Sequence, residues 1–216
     1  MLKTEFRPLH AQSRSSTHSQ LPTAQRRPQT TPKLVKLKRQ NQLSFVNHSL
    51  WKIHKGYIRT LTYDSQGEPV PIGFWSVGDI VGYPIAQTYP YIAECLTTVE
   101  VEYLDIGYRL SREMLLSQVR QSNELLKIAH CQQAEERLLQ LICWLAERFG
   151  HRAGNSHQID LKLTHQEIAE STGMTRVTVT RLIKSLERKG HIVWSARQRL
   201  LSEATFKQCY ASVNRC

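Results

Sequence analysis

The segment that most constrains this chain is residues 161–192, LKLTHQEIAESTGMTRVTVTRLIKSLERKGHI. Thr164 and Glu167 make a T-x-x-E capping box, in which each side chain satisfies a backbone N–H of the other at a helix start. A short helix is expected over Gln166 to Ser171, and Gly173 follows where a chain reversal needs positive φ. Thr175 can cap a second helix carrying Arg176 to Lys189. On that helix Val179, Leu182, Ile183 and Leu186 fall at i, i+3, i+4 and i+7, which is one buried stripe. Arg176, Val177, Thr180, Arg181 and Lys184 lie off the stripe on an acid-free face. Gly190 closes the helix, and HIVWSARQRLLSE reads as a small β-wing. The pattern is a helix-turn-helix, whose second helix fits a major groove. A helical hairpin packed on another protein is the competing reading, and it leaves the two exposed arginines unexplained.

Charge agrees with a polyanionic partner. The chain of 216 residues carries 29 Lys and Arg against 18 Asp and Glu, a net charge of +11. Residues 1–40 hold nine basic residues and one acid, residues 161–216 hold ten and four, and the centre is mildly acidic. Basic ends of this kind supply the salt-sensitive part of nucleic-acid affinity. The five cysteines form no C-x-x-C pair, which excludes a zinc finger or ribbon, and free thiols are expected. No run approaches the ~20 apolar residues of a membrane span, and the first twenty residues lack an apolar signal core, so a cytoplasmic chain is expected.

The remaining organisation is α+β. Residues 1–32, rich in Ser, Thr, Gln, Pro and Arg, read as a flexible basic tail whose alternative role is non-specific phosphate contact. Residues 33–110 carry short β runs such as LWKIHKGYIRTLTY and VPIGFWSV, punctuated by Gly56, Gly67, Gly73, Gly78 and Gly82, as in a small antiparallel roll. Residues 111–150 are helical from Ser111, with Leu138, Leu139, Ile142 and Leu145 at helical spacing. HRAGNSHQ then reads as a polar connector into a winged helix-turn-helix domain over 151–216.

On these residues the chain resembles the CRP/FNR superfamily of bacterial transcription regulators. Thr164–Ile192 looks like the family's helix-turn-helix. Leu50-Trp51-Lys52-Ile53, Lys55-Gly56, Asp64…Gly67 and Gly78-Asp79 match its glycine-punctuated β-roll. The run Thr175-Arg-Val-Thr-Val-Thr-Arg181 is most similar to the recognition helix of the cyanobacterial global nitrogen regulator branch. The resemblance implies a homodimer with recognition helices in successive major grooves of double-stranded DNA, roughly 34 Å apart on a palindrome. It implies Arg176, Val177, Thr180 and Arg181 as base-reading residues, the arginines facing guanine O6 and N7. Val177 stands where cyclic-AMP-receptor relatives carry Glu, which favours a GTA-N8-TAC type of site. Thr164, His165, Gln166, Thr175, Thr178 and Lys184 are the implied phosphate contacts, which position without specifying; Arg197 and Arg199 on the wing either join them or serve a structural or solvated role. An activator of this type has RNA polymerase as a further partner.

The chain also departs from the family. Counted from Gly78-Asp79, Tyr89 and Pro90 replace the Arg-Ser or Arg-Thr that holds a cyclic phosphate, and no arginine occurs between Arg59 and Arg109. A bound phosphate would lack its charge-assisted partner, so cyclic AMP is not expected, and 2-oxoglutarate meets the same lack. No N-terminal cysteine cluster exists for an iron–sulfur centre, and haem on His48 or His54 is disfavoured. No cofactor is evident, and the small-molecule effector, if any, is unassigned. The dimer helix reads about three turns short, with pairing expected through Leu125, Ile128, Leu138 and Ile142. An enzyme on a cupin-like roll fails because residues 56–129 contain no histidine. A non-specific architectural DNA-binding protein is the alternative function.

Overall fold

Short β-branched and aromatic runs separated by glycine turns pair across sequence into two small sheets. The computed structural model describes residues 33–45, 49–105 and 107–213; the tail read over 1–32 and His48 lie outside them. The first sheet takes the order β1 (Leu34–Leu37), β7 (Val99–Leu104), β2 (Leu50–Lys55), β5 (Ile80–Val81). The second takes the order β4 (Pro69–Trp75), β3 (Ile58–Tyr63), β6 (Ile92–Cys95), and every pairing in both is antiparallel. Ile53, Ile58, Trp75, Val99 and Val101 are buried together between them. Gly56 makes the β2–β3 reversal at φ +85°, where an added Cβ would lie 2.4 Å from the Thr98 carbonyl oxygen. A short helix α1 (Tyr83–Ala86) follows β5.

Ser111 caps helix α2 (Arg112–Ala129), its hydroxyl accepting from the Met114 N–H at 3.2 Å. Eighteen residues make a helix about 27 Å long. One face packs on helix α3 (Ala134–Phe149). The opposite face leaves Leu115, Val119 and Leu126 half exposed, at 45%, 55% and 59%, spaced four and seven residues apart. The residues expected to pair with a second copy are instead covered within this chain. Ile128, Leu138 and Ile142 are buried in this chain's own core, with Leu125 packed against it. The chain turns back at 130–133, so the facing apolar sides of α2 and α3 cover each other.

HRAGNSHQ is not a connector but a β-hairpin. Strands β8 (Gly150–Ala153) and β9 (Ser156–Ile159) turn through Gly154 at φ +61°, and β9 pairs with β11 (Arg199–Ser202). With β10 (Ile192–Trp194) they complete a four-stranded sheet under the helix-turn-helix. A last helix, α6 (Glu203–Val213), has no counterpart in the sequence reading. His157 anchors it, stacking on Phe206 at 3.7 Å and bonding to Glu203 at 2.8 Å. α6 also carries Cys209 to Cys143 of α3. The two are joined as a disulfide, Cα atoms 6.6 Å apart, so the expectation of free thiols fails at this pair. Cys95 and Cys131 are free.

Candidate nucleic-acid interface

Helices α4 (His165–Thr172) and α5 (Arg176–Arg188) form where the capping signals put them. Thr164 Oγ1 accepts from the Glu167 N–H at 3.2 Å, and Glu167 Oε2 accepts from the Thr164 N–H at 2.6 Å. Gly173 closes α4 at φ +61°. Thr175 then accepts from the Thr178 N–H at 3.2 Å to start α5. Val179, Ile183 and Leu186 are buried, which sends the other side of α5 to solvent.

That outer side carries Arg176, Val177, Arg181 and Lys184, all exposed, with Val177 at 78%. Among the described residues no side chain bonds to the arms of Arg176, Arg181 or Lys184, and 100° per residue puts all of them within one arc. Thr180 is engaged otherwise. Its hydroxyl donates to the Arg176 carbonyl at 2.9 Å and stands 2.9 Å from His165 Nδ1, tying the start of α4 to α5. Burial first, then the charges of Arg199 and Arg176, holds His165 below the ordinary imidazole pKa, against a weaker pull from Glu187. Thr164 and Gln166 are exposed beside it, Gln166 donating to Glu170 at 3.0 Å, and Thr175 and Thr178 share a 2.9 Å contact.

The wing separates its two arginines. Arg197 is exposed in the turn where the Ser195 N–H donates to the Gln198 carbonyl at 2.8 Å. Arg199 is half-buried, its guanidinium 4.9 Å over the Trp194 ring, with Nε and Nη1 buried and unpartnered. Burial lowers its pKa, against the opposing pull of Glu167. Trp194 and Arg199 face each other across β10 and β11, so this cation–π pair joins the wing strands.

Two arginines that sequence reasoning missed fix α4 to the roll. Arg39 donates to the Leu96 carbonyl and to Glu167 Oε1, both at 2.6 Å. Arg59, 7% exposed, is held by Glu94 at 2.7 Å and by Glu170 of α4 at 2.5 Å. The available signal was Arg59 itself, a lone charge in the strand IRTLTY, which burial obliges to find acids.

The roll contains a cavity of about 400 Å³ against α2, lined by Thr60, Trp75, Tyr91, Gln118, Ser122 and Asn123 among aliphatic side chains. No charged residue lines it. Tyr89 is 89% exposed and Pro90 has no N–H, and neither lines this cavity, so neither supplies a phosphate donor there. Cys95 is fully buried, and burial pushes its thiol up to about 11, which leaves no thiolate at neutral pH. Among the described residues no cluster of three or more His, Cys, Asp or Glu could hold a metal, and no helix is long and apolar enough to cross a membrane.

A Crp-like helix-turn-helix domain matches residues 136–208. Regulatory protein CysR of Synechococcus elongatus is 40% identical over 146 residues, covering 66% of this chain and 71% of that protein. Electron transport regulator A of Shewanella oneidensis is 28% identical over 160 residues, 67% of this chain and 63% of its own length. A CRP-family transcriptional regulator of Thermus thermophilus matches in structure with TM-score 0.66 at 20% identity, over 82% of this chain and 96% of that one. A second, a CRP/FNR-family regulator of the same organism, gives 0.66 at 20% identity over 83% and 98%. The α+β architecture, the helix-turn-helix and the 40% identity agree: the chain belongs to the CRP/FNR family of DNA-binding transcription regulators.

Proposed function

We propose that this chain works as a homodimer that reads a palindrome of the GTA-N8-TAC type through the outer face of α5, in the cytoplasm where such DNA is found. The observation that carries the reading is that face. Arg176 and Arg181 stand exposed and, among the described residues, without a side-chain partner, the state a bidentate guanine reader needs before docking. Val177, at 78% exposure, offers a methyl contact to thymine and cannot accept from cytosine. Thr164, Gln166, Thr175, Thr178, Lys184 and Arg197 surround it as phosphate contacts, with His165 as the titratable one. Arg199 supports the wing through Trp194, and Thr180 reads a base only by exchanging its bond to His165.

The half-exposed stripe Leu115, Val119 and Leu126 supports the dimer, since its spacing is that of a two-helix seam. The uncharged lining of the roll cavity supports an effector other than cyclic AMP, whose phosphate would enter with its charge unmatched. An uncharged effector, or none, fits that lining. Membership of a family of transcription regulators supports RNA polymerase as the output partner.

The test is fluorescence anisotropy of the whole protein on a GTA-N8-TAC duplex and on a scrambled one across a salt series. Specific reading predicts two chains per palindrome and a preference of ~10³ or more over the scramble. Equal, steeply salt-dependent binding to both would instead indicate an architectural protein.

A further inference from the structure

Helix α4 carries two carboxylates, and each divides its oxygens in the same way. Glu167 Oε1 accepts from Arg39 of the roll at 2.6 Å, and its Oε2 accepts from the Thr164 N–H at 2.6 Å. Glu170 Oε2 accepts from Arg59 of the roll at 2.5 Å, and its Oε1 accepts from Gln166 Nε2 at 3.0 Å. In both, one oxygen faces the roll and the other faces a residue of the row proposed to meet phosphates. The arginines are themselves fixed, Arg39 by the Leu96 carbonyl and Arg59 by Glu94, its cross-strand neighbour.

Stability alone does not call for these bridges. Ile168 and Ala169 already seat α4 in the core, and its capping box closes its first turn. A largely buried ion pair contributes little net stability over apolar side chains of the same volume. What the bridges add is direction. The Glu170 side chain is 11% exposed while Gln166, one turn earlier, is exposed, so the bridge has its fixed end inside and its free end in solvent. A loose glutamine loses rotamer freedom when DNA orders it, and that loss weakens binding. Gln166, resting on Glu170, is ordered beforehand. Its amide keeps a second N–H that this bond does not use.

We propose that Arg59, acting through Glu170, is a positioning residue for DNA: it holds Gln166 so that the remaining N–H of its amide meets a backbone phosphate oxygen. Arg39 acts in parallel on the first turn of α4 through Glu167. The inference rests on the reading of the start of α4 as a phosphate-contacting row. It adds that two arginines of the roll, 128 and 111 positions from their acids, set the geometry of that row. They also neutralise two carboxylates that would otherwise repel the phosphates.

The test is a double-mutant cycle on the whole protein, read by anisotropy at one fixed salt on both the GTA-N8-TAC duplex and the scrambled one. Phosphate contacts carry no sequence information, so either duplex reports on them. In the parent, Gln166→Ala should weaken binding at least about fivefold, because a dimer loses the contact twice per duplex. In Arg59→Met the same change should cost less than about twofold, because Gln166 is no longer held. A merely structural Arg59 would lower stability and leave the cost of Gln166→Ala as it was. Should Arg59→Met not fold, Glu170→Ala takes its place, since Arg59 then keeps Glu94 and no charge is left buried alone. Glu170→Ala should lower affinity about threefold or more, although it removes a negative charge beside the DNA. A rise in affinity in Glu170→Ala, an undiminished cost of Gln166→Ala in either background, or no cost of Gln166→Ala in the parent would each overturn the inference. The same titrations give the parent's preference for the palindrome. Its absence with the coupling intact would reject the GTA-N8-TAC reading and leave this one standing.

Discussion

His165 shows how one residue can report on the DNA contact. In the free protein its pKa lies below the ordinary imidazole value because it is partly buried and has two arginines nearby. The unfolded chain, with a value of about 6.5, then binds more protons than the folded one. Through this residue, stability in the absence of DNA is full above about pH 6.5 and falls as pH drops toward the lower folded value. If His165 is a phosphate contact, as proposed, bound DNA reverses the sign, favouring the imidazolium. DNA affinity is therefore predicted to rise as pH falls from about 7 to 5, while the melting temperature falls. His165→Gln should flatten the affinity trend, as measured by anisotropy at constant ionic strength. At the same scale, Cys143–Cys209 closes a loop across a sequence separation of 66 residues. Its removal in Cys209→Ser should cost about 4 kcal/mol by the chain-entropy relation, read by denaturant unfolding, with thiol alkylation and intact mass confirming the bond in the parent.

At the scale of elements, the clamp on α4 is the feature with the largest predicted energy. Arg59→Met leaves Glu94 and Glu170 facing each other with no cation, and should cost about 3–5 kcal/mol in urea unfolding. Neutralising both acids in the same background should recover most of that loss, because the penalty is the unpaired charge rather than the missing contact. What was legible in the sequence divides along the same line. The helix-turn-helix was readable because Thr164, Glu167, Gly173 and Thr175 act on backbone groups within three or four residues. The hairpin β8–β9 was not, since its strands carry no apolar alternation and β9 finds its second partner, β11, about forty residues further on. Arg59 and Glu170 lie 111 positions apart, and Cys143 and Cys209 lie 66 apart. Nothing local in either pair announces its partner. The side covered within the chain was not legible for a related reason: periodicity finds the apolar faces of α2 and α3 but not which of them the turn at 130–133 folds together.

For the whole molecule, α2 has two faces, one that closes the chain on α3 and one left with Leu115, Val119 and Leu126 half in water. If the second face is the seam, Val119→Glu with Leu126→Glu should leave the fold intact and give a monomer by sedimentation velocity. That monomer should lose more than about tenfold in affinity for a palindrome, because two half-sites no longer bind as one linked event. The roll, clamp and winged domain would then hold each recognition helix in place, while the seam sets the distance between them.

The measurement that bears most directly on this reading is the ratio of affinities for a GTA-N8-TAC duplex over a scrambled one, at fixed salt, for the parent protein and for Arg181→Ala. The parent ratio should be ~10³ or more. Losing one bidentate contact of about 1–3 kcal/mol in each half-site should cut that ratio at least about tenfold and relax discrimination at a single base position. An unchanged ratio, with both duplexes weakened equally, would make Arg181 a phosphate contact and would contradict the assignment of the outer face of α5 as the surface that reads sequence.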